Sequence, residues 1–534
     1  MGLLSLLIFL PLLATVIILL LPKLYEQSFK YIALAIGLVQ TCLAAFLYFN
    51  GNGSSGLMSD VANYQYVEQL PWIRMNLGSL GNLEIDYFLG VDGFSLPLLL
   101  LSSLVMLMAV AASWNMEKSK KGYFSLLMIL NTAVMGIFCA LDFFLFYVFY
   151  EVMLLPLYFL IGIWGGARRE YAAIKFFLYT LFGSVFMLLV IVGLYFSVQN
   201  PETGAHTFNM LHMMNPANYI PGTIFEFLNN PNEIFGISAR LIGFAVLFIA
   251  FAIKIPIVPL HTWLPDAHVE APTPVSIILA GILLKIGGYG IIRVCISIFP
   301  DVFAETNWWL GLIGIISILY GALNAIAQTD LKRLIAYSSV SHMGFVLLGI
   351  ASSTAEGISG AVFQMLSHGF LSAALFFLVG VIYDRVHDRY IYHFRGLASI
   401  MPKFTAYVAI AFFASLGLPG FSAFIGEAFV IIGAFNAESI GTGIPRWMAI
   451  CGSIGILLSA AYFLWTLQRM FFGQTRLKGG ENWASSLQDL TVREQIILFP
   501  TLALALLLGI VPSLVFDTLN PSVLSLLNLL NPYF

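Results

Sequence analysis

The chain has 534 residues, of which 60% are apolar and only 10% carry a charged side chain. Soluble domains carry about 25% charged residues, so this chain cannot cover a water-facing surface and is expected to lie mostly in lipid. Its 24 basic and 27 acidic side chains nearly balance, which excludes the basic surface that binds DNA or RNA. The four cysteines lie in separate apolar runs, which excludes a disulfide scaffold and a zinc or iron–sulfur cluster.

Fourteen stretches are long and apolar enough to cross a membrane, which takes about 20 residues. The sequence predicts spans at 3–22, 30–49, 93–113, 122–141, 143–164, 172–197, 238–268, 274–297, 306–328, 331–351, 358–383, 404–434, 449–472 and 495–516. The first has no basic residue ahead of it and no small-residue cleavage site, so it is expected to be a retained helix. The predicted fold is an all-α polytopic membrane protein.

Basic residues are unevenly distributed among the connections. Sixteen Lys and Arg residues follow spans 1, 3, 5, 9, 11 or 13, whereas only Arg74, Arg240 and Arg446 follow spans 2, 6 or 12. Cytoplasmic connections are enriched in Lys and Arg. The odd-numbered connections are therefore predicted to face the cytoplasm, with both termini on the periplasmic side.

Spans 7 and 12 carry helix breakers in their middle, KIPIVP at 254–259 and GLPG at 417–420. Proline removes a backbone donor, so the carbonyls of Ala252, Ile255 and Ser415 are expected to lack helical partners. Unpaired backbone is tolerated at membrane depth only where it is buried in protein or lines a wet cavity. Both breaks therefore predict a polar interior.

Each broken span follows three unbroken spans and precedes one. Spans 4–8 and 9–13 thus form two predicted five-helix units, and because five is odd, the second enters the membrane from the opposite face. Such an inverted repeat is typical of transporters with an ion path between the repeats. The alternative is that Pro and Gly are simply common in membrane helices. The predicted organisation is 1–121, 122–297, 306–472 and 473–534.

Glu151, Lys254, Lys285 and Glu427 lie within predicted spans. Each costs about 2.5–3.5 kcal/mol at mid-membrane, so a function is the default interpretation. Opposite charges reduce this cost, which predicts a pair between Glu151 and Lys254; a static salt bridge that fixes helix register is the alternative. Lys285 has no carboxylate in its own or an adjacent span. A buried ammonium without a partner favours its neutral form, so Lys285 is the strongest candidate for a proton acceptor.

Two histidines lie between Lys285 and Glu427 in span order. His342 in span 10 and His368 in span 11 could relay protons, because imidazole accepts and donates near neutral pH, or each could be hydrogen-bonded to backbone and inert. The run HTWLPDAH at 261–268 superficially resembles a metal site. Its proline breaks the helical spacing, so metal binding is not expected there.

Three segments carry a recognisable pattern: KIPIVPLHTWLPDAH at 254–268, LAGILLK at 279–285 and QTDLKRLIAYSSVSHMG at 328–344. They resemble the antiporter-like subunits of the proton-pumping NADH:quinone oxidoreductase, respiratory complex I, over residues 90–470. Within that family the chain is most similar to the M subunit, the bacterial counterpart of the mitochondrial fourth ND chain. Glu427 stands where L- and N-like subunits are expected to have Lys, the chain stops soon after span 14, and DGFSL at 92–96 looks M-like.

The resemblance implies a role for each buried residue. Glu151 and Lys254 form a coupling pair. The distance between the two side chains changes with the state of the neighbouring subunits and communicates that state to and from them. Lys285 is the central proton-holding residue and is fed from the cytoplasm.

On the far side of Lys285, the same resemblance implies that His342 and His368 connect two half-channels. Glu427 is then the exit towards the outside.

The resemblance also implies what lies in other chains. This sequence has no GxGxxG motif after a strand, no P-loop and no cluster ligands, so FMN, iron–sulfur clusters and quinone are expected in partner subunits, with L- and N-like subunits as neighbours in a bacterial inner membrane. The chain would be a non-redox subunit of a proton-translocating enzyme. The alternatives are the D-type subunit of a multisubunit sodium/proton antiporter and a homologous subunit of a membrane-bound hydrogenase.

Overall fold

The fold is given by a computed structural model that describes residues 2–51, 56–76, 78, 82–227 and 232–534. Within these residues, fourteen helices are long and apolar enough to cross a membrane. The prediction of an all-α polytopic membrane protein is confirmed. The helices are labelled α1 to α15 in chain order, and the halves of a broken helix are marked a and b.

The first half of the chain runs to α8. Its helices are α1 (Leu3–Leu20), α2 (Phe29–Asn50), α3 (Ser95–Ala112), α4 (Lys120–Cys139), α5 (Phe143–Trp164), α6 (Arg169–Ser197), α7a (Ala239–Lys254), α7b (Trp263–Glu270) and α8 (Thr273–Ile296). The second half consists of α9 (Pro300–Ile326), α10 (Leu331–Ala351), α11 (Ala355–Val386), α12a (Pro402–Ser415), α12b (Ser422–Ile440), α13 (Arg446–Phe471), α14 (Val492–Ile510) and α15 (Ser513–Leu530).

The carboxyl-terminal region differs from the prediction of one span at 495–516. The helix ends at Ile510, and a second helix, α15, begins at Ser513. Pro512 explains the break, because the residue before a proline is pushed out of the helical region, and Val511 has φ −125° and ψ 68°. By length and apolarity α15 is counted among the fourteen helices, whereas α7a, with 16 residues, is not.

The connection between α2 and α3 contains an antiparallel hairpin of β1 (Gln65–Asn76) and β2 (Asn82–Val91). Glu68 in β1 accepts hydrogen bonds from the backbone N–H groups of Leu4 and Ser5 at 2.7 and 3.2 Å. A carboxylate at a helix N-terminus satisfies donors that have no partner within the helix. The hairpin thereby fixes the start of α1.

The same face of the molecule carries α15. Its Ser522 hydroxyl accepts a hydrogen bond from Gly93 N before α3 at 2.9 Å, and Ser525 donates to the carbonyl of Gly56. Two further short strand pairs lie in the connections. Glu233–Ile234 pairs with Ile237–Ser238 just before α7a, and Phe394–Arg395 pairs with Arg476–Leu477 between the connections after α11 and α13.

Spans 7 and 12 are broken at the residues that the sequence predicts. The α7a helix ends at Lys254, and α12a ends at Ser415 before Gly417 and Gly420, whose φ angles are +80° and +98°. Positive φ costs glycine little because it lacks a Cβ.

The carbonyl of Ala252 has no partner within the helix, because residue 256 is a proline, but it finds one beyond the break. Ile257 N donates to this carbonyl at 3.3 Å, and the Trp263 indole donates to the neighbouring carbonyl of Ile253 at 2.8 Å. The chain after the break folds back and supplies donors that the helix has lost. This follows the rule that buried backbone groups find partners.

Helices α8, α10 and α11 form the centre of the molecule. The membrane-spanning windows of α8 and α11 are wholly buried, and that of α10 is 94% buried. Two segments of α8 are π-helical, Leu279–Leu283 and Ile291–Ile296. Single π turns inside α-helices are frequent at functional sites. Lys285, which the sequence analysis identified, lies between these two π-helical segments.

Candidate functional site

Lys285 lies on α8 and is completely buried. Its ammonium donates to the carbonyl of Ala280 on the same helix, and its Nζ lies 2.7 Å from Nδ1 of His368 on α11. Either atom can hold the proton of that contact, since a neutral imidazole nitrogen accepts from an ammonium and a protonated one donates to an amine. The pair can therefore pass a proton without moving a helix.

His368 and His342 face each other across a small polar space. Their ring centroids are 5.5 Å apart, and the rings are inclined at 53°. Both rings border a small cavity of about 10 Å³, room for about one water molecule, whose hydroxyl-bearing lining residues are Ser338, Ser339, Ser372 and Ser415. Hydroxyl groups both donate and accept hydrogen bonds, so this lining can hold water between the two imidazoles.

Glu427 ends the line of titratable groups. It lies in the second turn of α12b, just after the break, and is 1% exposed. Its Oε1 lies 3.0 Å from Nδ1 of His342, whereas its Oε2 is buried without a hydrogen-bond partner. A buried acceptor without a partner marks a position for water or for a proton.

Gln364 is a site residue that the sequence analysis missed. Its Nε2 donates to Glu427 Oε1 at 3.3 Å and lies 3.4 Å from His342 Nδ1. Its position four residues before His368 could have indicated a place in the site, because residues i and i+4 lie on one face of a helix. An amide cannot titrate, so Gln364 orients the His342–Glu427 pair.

Glu151 and Lys254 are near each other but are not bonded. Lys254 Nζ lies 3.9 Å from the ring centroid of Tyr150, and Glu151 is the carboxylate whose charge acts on it. Neither Lys254 Nζ nor Glu151 Oε1 has a hydrogen-bond partner, and the two side chains form no ion pair within 4 Å. The structure thus has this pair separated, with a cation–π contact stabilising the ammonium.

The two histidines of the run at 261–268 pack against different aromatic side chains. His268 stacks on Phe376 with ring centroids 4.4 Å apart, and His261 packs against Tyr320 at 5.1 Å. Across the described part of the chain, no group of three or more His, Cys, Asp or Glu side chains could hold a metal ion.

A large vestibule opens at the face that carries the odd-numbered connections. Its volume is about 630 Å³, and it is lined by the connections after α3 and α5, the junction of α7b with α8, and the end of α11. Lys332 at the start of α10 lies in its wall, and its ammonium donates to the carbonyl of Ala271 at 2.6 Å. The vestibule lies at the end of α8 from which the helix runs to Lys285.

Comparison with known proteins gives the family. The model of the family "NADH:quinone oxidoreductase/Mrp antiporter, TM" matches residues 140–459, and that of "NADH-ubiquinone oxidoreductase chain 4, amino terminus" matches residues 67–140. The chain is 40% identical over 529 residues to NADH-quinone oxidoreductase subunit M of Rhodobacter capsulatus, which covers 98% of this chain and 96% of the relative. It is 38% identical to NAD(P)H-quinone oxidoreductase chain 4 2 of Thermosynechococcus vestitus, with 96% and 90% covered.

Solved structures agree with these relatives. A chain of respiratory complex I from Thermus thermophilus with bound NADH matches with a TM-score of 0.81 at 28% identity, covering 99% of both chains. A chain of the Mrp complex from Dietzia sp. matches with a TM-score of 0.77 at 22% identity, covering 100% of this chain and 98% of that one, which shows a shared fold. The similarity thus extends beyond residues 90–470 to nearly the whole chain, and the protein belongs to the NADH:quinone oxidoreductase/Mrp antiporter transmembrane family.

Proposed function

We propose that this chain is the antiporter-like, proton-translocating subunit of the membrane arm of an NADH:quinone oxidoreductase. The observation that carries the proposal is the buried succession of titratable side chains Lys285, His368, His342 and Glu427. Lys285 contacts His368 at 2.7 Å, and His342 contacts Glu427 at 3.0 Å. A polar cavity borders the gap between the two imidazoles. Titratable groups inside a membrane protein mark a proton path by default.

The direction of transport follows from the two ends of this succession. The vestibule supplies protons to Lys285 from the side with the odd-numbered connections, which the basic residues assign to the cytoplasm. His368 and His342 transfer the proton, and Glu427 releases it to the periplasmic side, where both termini lie. Spans 4–8 and 9–13 act as two inverted units, with Lys285 in the first and Glu427 in the second.

Glu151 and Lys254 couple this path to the neighbouring subunits. Two opposite charges attract more strongly when they approach in a medium of low dielectric constant, so closing the separated pair changes the field at the adjacent α8. Gly287 of α8 packs directly on the end of α7a, where an added Cβ would lie 2.5 Å from Ile255 N. A movement of Lys254 is thereby transmitted to the helix that carries Lys285.

The driving energy comes from other chains. FMN, iron–sulfur clusters and quinone belong to partner subunits, this chain performs no redox step, and L- and N-like subunits are its neighbours in a bacterial inner membrane. Moving one proton outward takes about 2.3 kcal/mol per 100 mV, which the electron-transfer reaction supplies.

The test is a pair of substitutions in the assembled complex. Lys285→Ala and Glu427→Ala remove the groups that load and release the proton, so NADH-driven proton uptake into inverted vesicles is expected to fall at least about tenfold, a barrier change of about 1.4 kcal/mol. Lys121→Ala, a substitution near the cytoplasmic end of α4 outside the line, is the control and is expected to leave uptake unchanged.

Copurification separates this proposal from its rivals. Flavin and iron–sulfur absorbance should accompany the chain, whereas a cation/proton antiporter subunit would lack both and a membrane-bound hydrogenase would carry nickel. Normal uptake by either alanine variant, in a complex of wild-type composition, would mean that the buried line is a scaffold.

A further inference from the structure

A second buried polar cluster lies on α8, beyond Lys285 and away from the vestibule. Arg293 follows Lys285 by eight residues, about 12 Å along the helix, and is completely buried, as is Asp92. Arg293 Nη2 lies 2.6 Å from Asp92 Oδ2 in a close ion pair. The sequence analysis gave neither residue a role and named Asp92 only as part of DGFSL at 92–96.

Every nitrogen of the Arg293 guanidinium has a partner. Nη1 donates to the Tyr64 hydroxyl at 2.8 Å, Nε donates to the Tyr289 hydroxyl at 3.1 Å, and Nη2 also approaches the Ser95 hydroxyl at 3.5 Å. Asp92 is equally fixed, since its Oδ1 accepts from the backbone N–H groups that start α3, at 3.0 and 3.1 Å. The cluster is rigid because both charges are held on several sides.

The cluster closes the outer end of α8. Asp92 and Tyr64 belong to the connection that holds the hairpin, and Gly93 beside them binds α15. Tyr289 lies one turn beyond Lys285 and donates to Phe138 O at 3.3 Å. The polar groups that continue from Lys285 towards this face are therefore a phenol and a guanidinium.

A guanidinium cannot relay a proton. Arg stays protonated in proteins, so it has no form that accepts a proton from Lys285. The histidines on the other side of Lys285 have no such restriction.

Building on the proposed function, we propose that the Arg293–Asp92 pair is a proton seal: it prevents a proton on Lys285 from exchanging with the outer face along α8 and leaves His368 as the exit. The pair thereby gives the pump its direction. A purely structural strut between α3 and α8 would hold the same contacts without affecting proton leakage.

The experiment measures passive proton leakage through the reconstituted complex without turnover. Liposomes contain a pH-sensitive dye and face an imposed pH gradient. Removing both charges with Arg293→Gln and Asp92→Asn leaves a polar gap, and we expect leakage to rise at least about tenfold, as a barrier lower by about 1.4 kcal/mol gives. Adding Lys285→Met to this variant is expected to abolish the leak, because the leaking proton passes through Lys285.

The matched control is a second Arg–Asp pair at this face, formed by a buried arginine and an aspartate whose side chain is 26% exposed. Arg240 is 3% exposed and its Nη2 lies 2.6 Å from Asp301 Oδ1, but the pair is not on α8. The double variant Arg240→Gln with Asp301→Asn is expected to leave proton leakage at the wild-type level. If the Arg293 double variant does not assemble, Arg293→Lys keeps the ion pair and is still expected to leak above wild type, because an ammonium can release its proton.

Two results would overturn the seal: leakage at the wild-type level in an assembled Arg293 variant, or leakage that persists after Lys285→Met. Both are distinguishable from failure of the proposed function, which is judged by NADH-driven uptake in Lys285→Ala alone.

Discussion

Side chains of like charge have opposite roles along α8. Lys285 and Arg293 are both buried cations, but Lys285 contacts an imidazole at 2.7 Å whereas Arg293 contacts a carboxylate at 2.6 Å. A lysine can become neutral when buried, and an arginine cannot. This chemical difference between two basic residues on one helix is the basis on which we propose a proton carrier at Lys285 and a proton barrier at Arg293.

Asp142 gives a test of burial at a residue outside the spanning helices. It caps the start of α5, accepting from Leu145 N at 3.0 Å and from Asp86 N at 3.3 Å. Burial raises the pKa of its carboxyl to about 7, and these hydrogen bonds oppose the rise. The folded pKa exceeds the ordinary value of 3.8, so the contribution of this group to stability is complete below that value and is lost as the pH rises through about 7.

Asp142→Asn removes this titration while keeping an oxygen that can accept from Leu145 N. The thermal midpoint of the wild-type protein in detergent should therefore fall, relative to that of the variant, as the pH rises from about 4 to about 7, and the difference should level off above that range. Differential scanning fluorimetry across this range measures it. Parallel profiles for the two proteins would show that the buried carboxyl does not titrate differently in the fold.

At the scale of elements, the break in helix 12 is built around two glycines with different surroundings. Gly417 and Gly420 have φ angles of +80° and +98°. A Cβ at Gly417 would lie 2.9 Å from Glu427 Oε2, whereas a Cβ at Gly420 would meet nothing within 4 Å. The absence of a side chain at Gly417 therefore leaves room for the Glu427 carboxylate. Gly420 is required only for the backbone conformation.

This difference predicts separable effects. Gly417→Ala and Gly420→Ala should each destabilise the chain by about 1–2 kcal/mol, because both place a Cβ in the left-handed region. Only Gly417→Ala should also lower proton uptake per NADH oxidised, since it displaces Glu427. Thermal denaturation and uptake into inverted vesicles provide the two measurements, and equal uptake in the two variants would contradict the assignment of space to Glu427.

The elements differ in how far the sequence predicts them. Helix breaks at 254–259 and 417–420 are predictable because proline and glycine act locally on the backbone. The hairpin and α15 were not identified, because short strands give a weak pattern and a single apolar run conceals the turn at Val511 and Pro512. The carbonyls of Ala252 and Ile253 have partners because the chain after the break folds back and supplies Ile257 N and the Trp263 indole, which no local pattern shows.

At the scale of the whole molecule, the sequence predicts which residues titrate but not which atoms meet. Span order puts both histidines between Lys285 and Glu427, but the structure reverses their order: His368 contacts Lys285, and His342 contacts Glu427. The Lys285–His368 contact depends on the packing of α8 against α11, where Gly281 lies close to the backbone of Gly369. Arg293 and Asp92 are far apart in the chain, and a hydrophobicity pattern carries no information about such pairings.

The vestibule and the cavity beside His342 and His368 are two separate spaces with no lining residue in common. The vestibule opens at one face, and the Arg293–Asp92 cluster lies at the opposite end of α8. In the proposed function, a proton that enters through the first unit leaves through the second, so the direction of transport depends on the arrangement of the helices.

The most direct test of this account is a structure of the assembled complex at a resolution that shows internal water. The hydrogen-bonding lining of the cavity predicts ordered water linking His368 to His342, and a further water bound to the free Oε2 of Glu427. A continuous hydrogen-bonded line from Lys285 to Glu427 in at least one state of turnover is the expected result. A dry gap between the two imidazoles in every state captured would contradict the proton path.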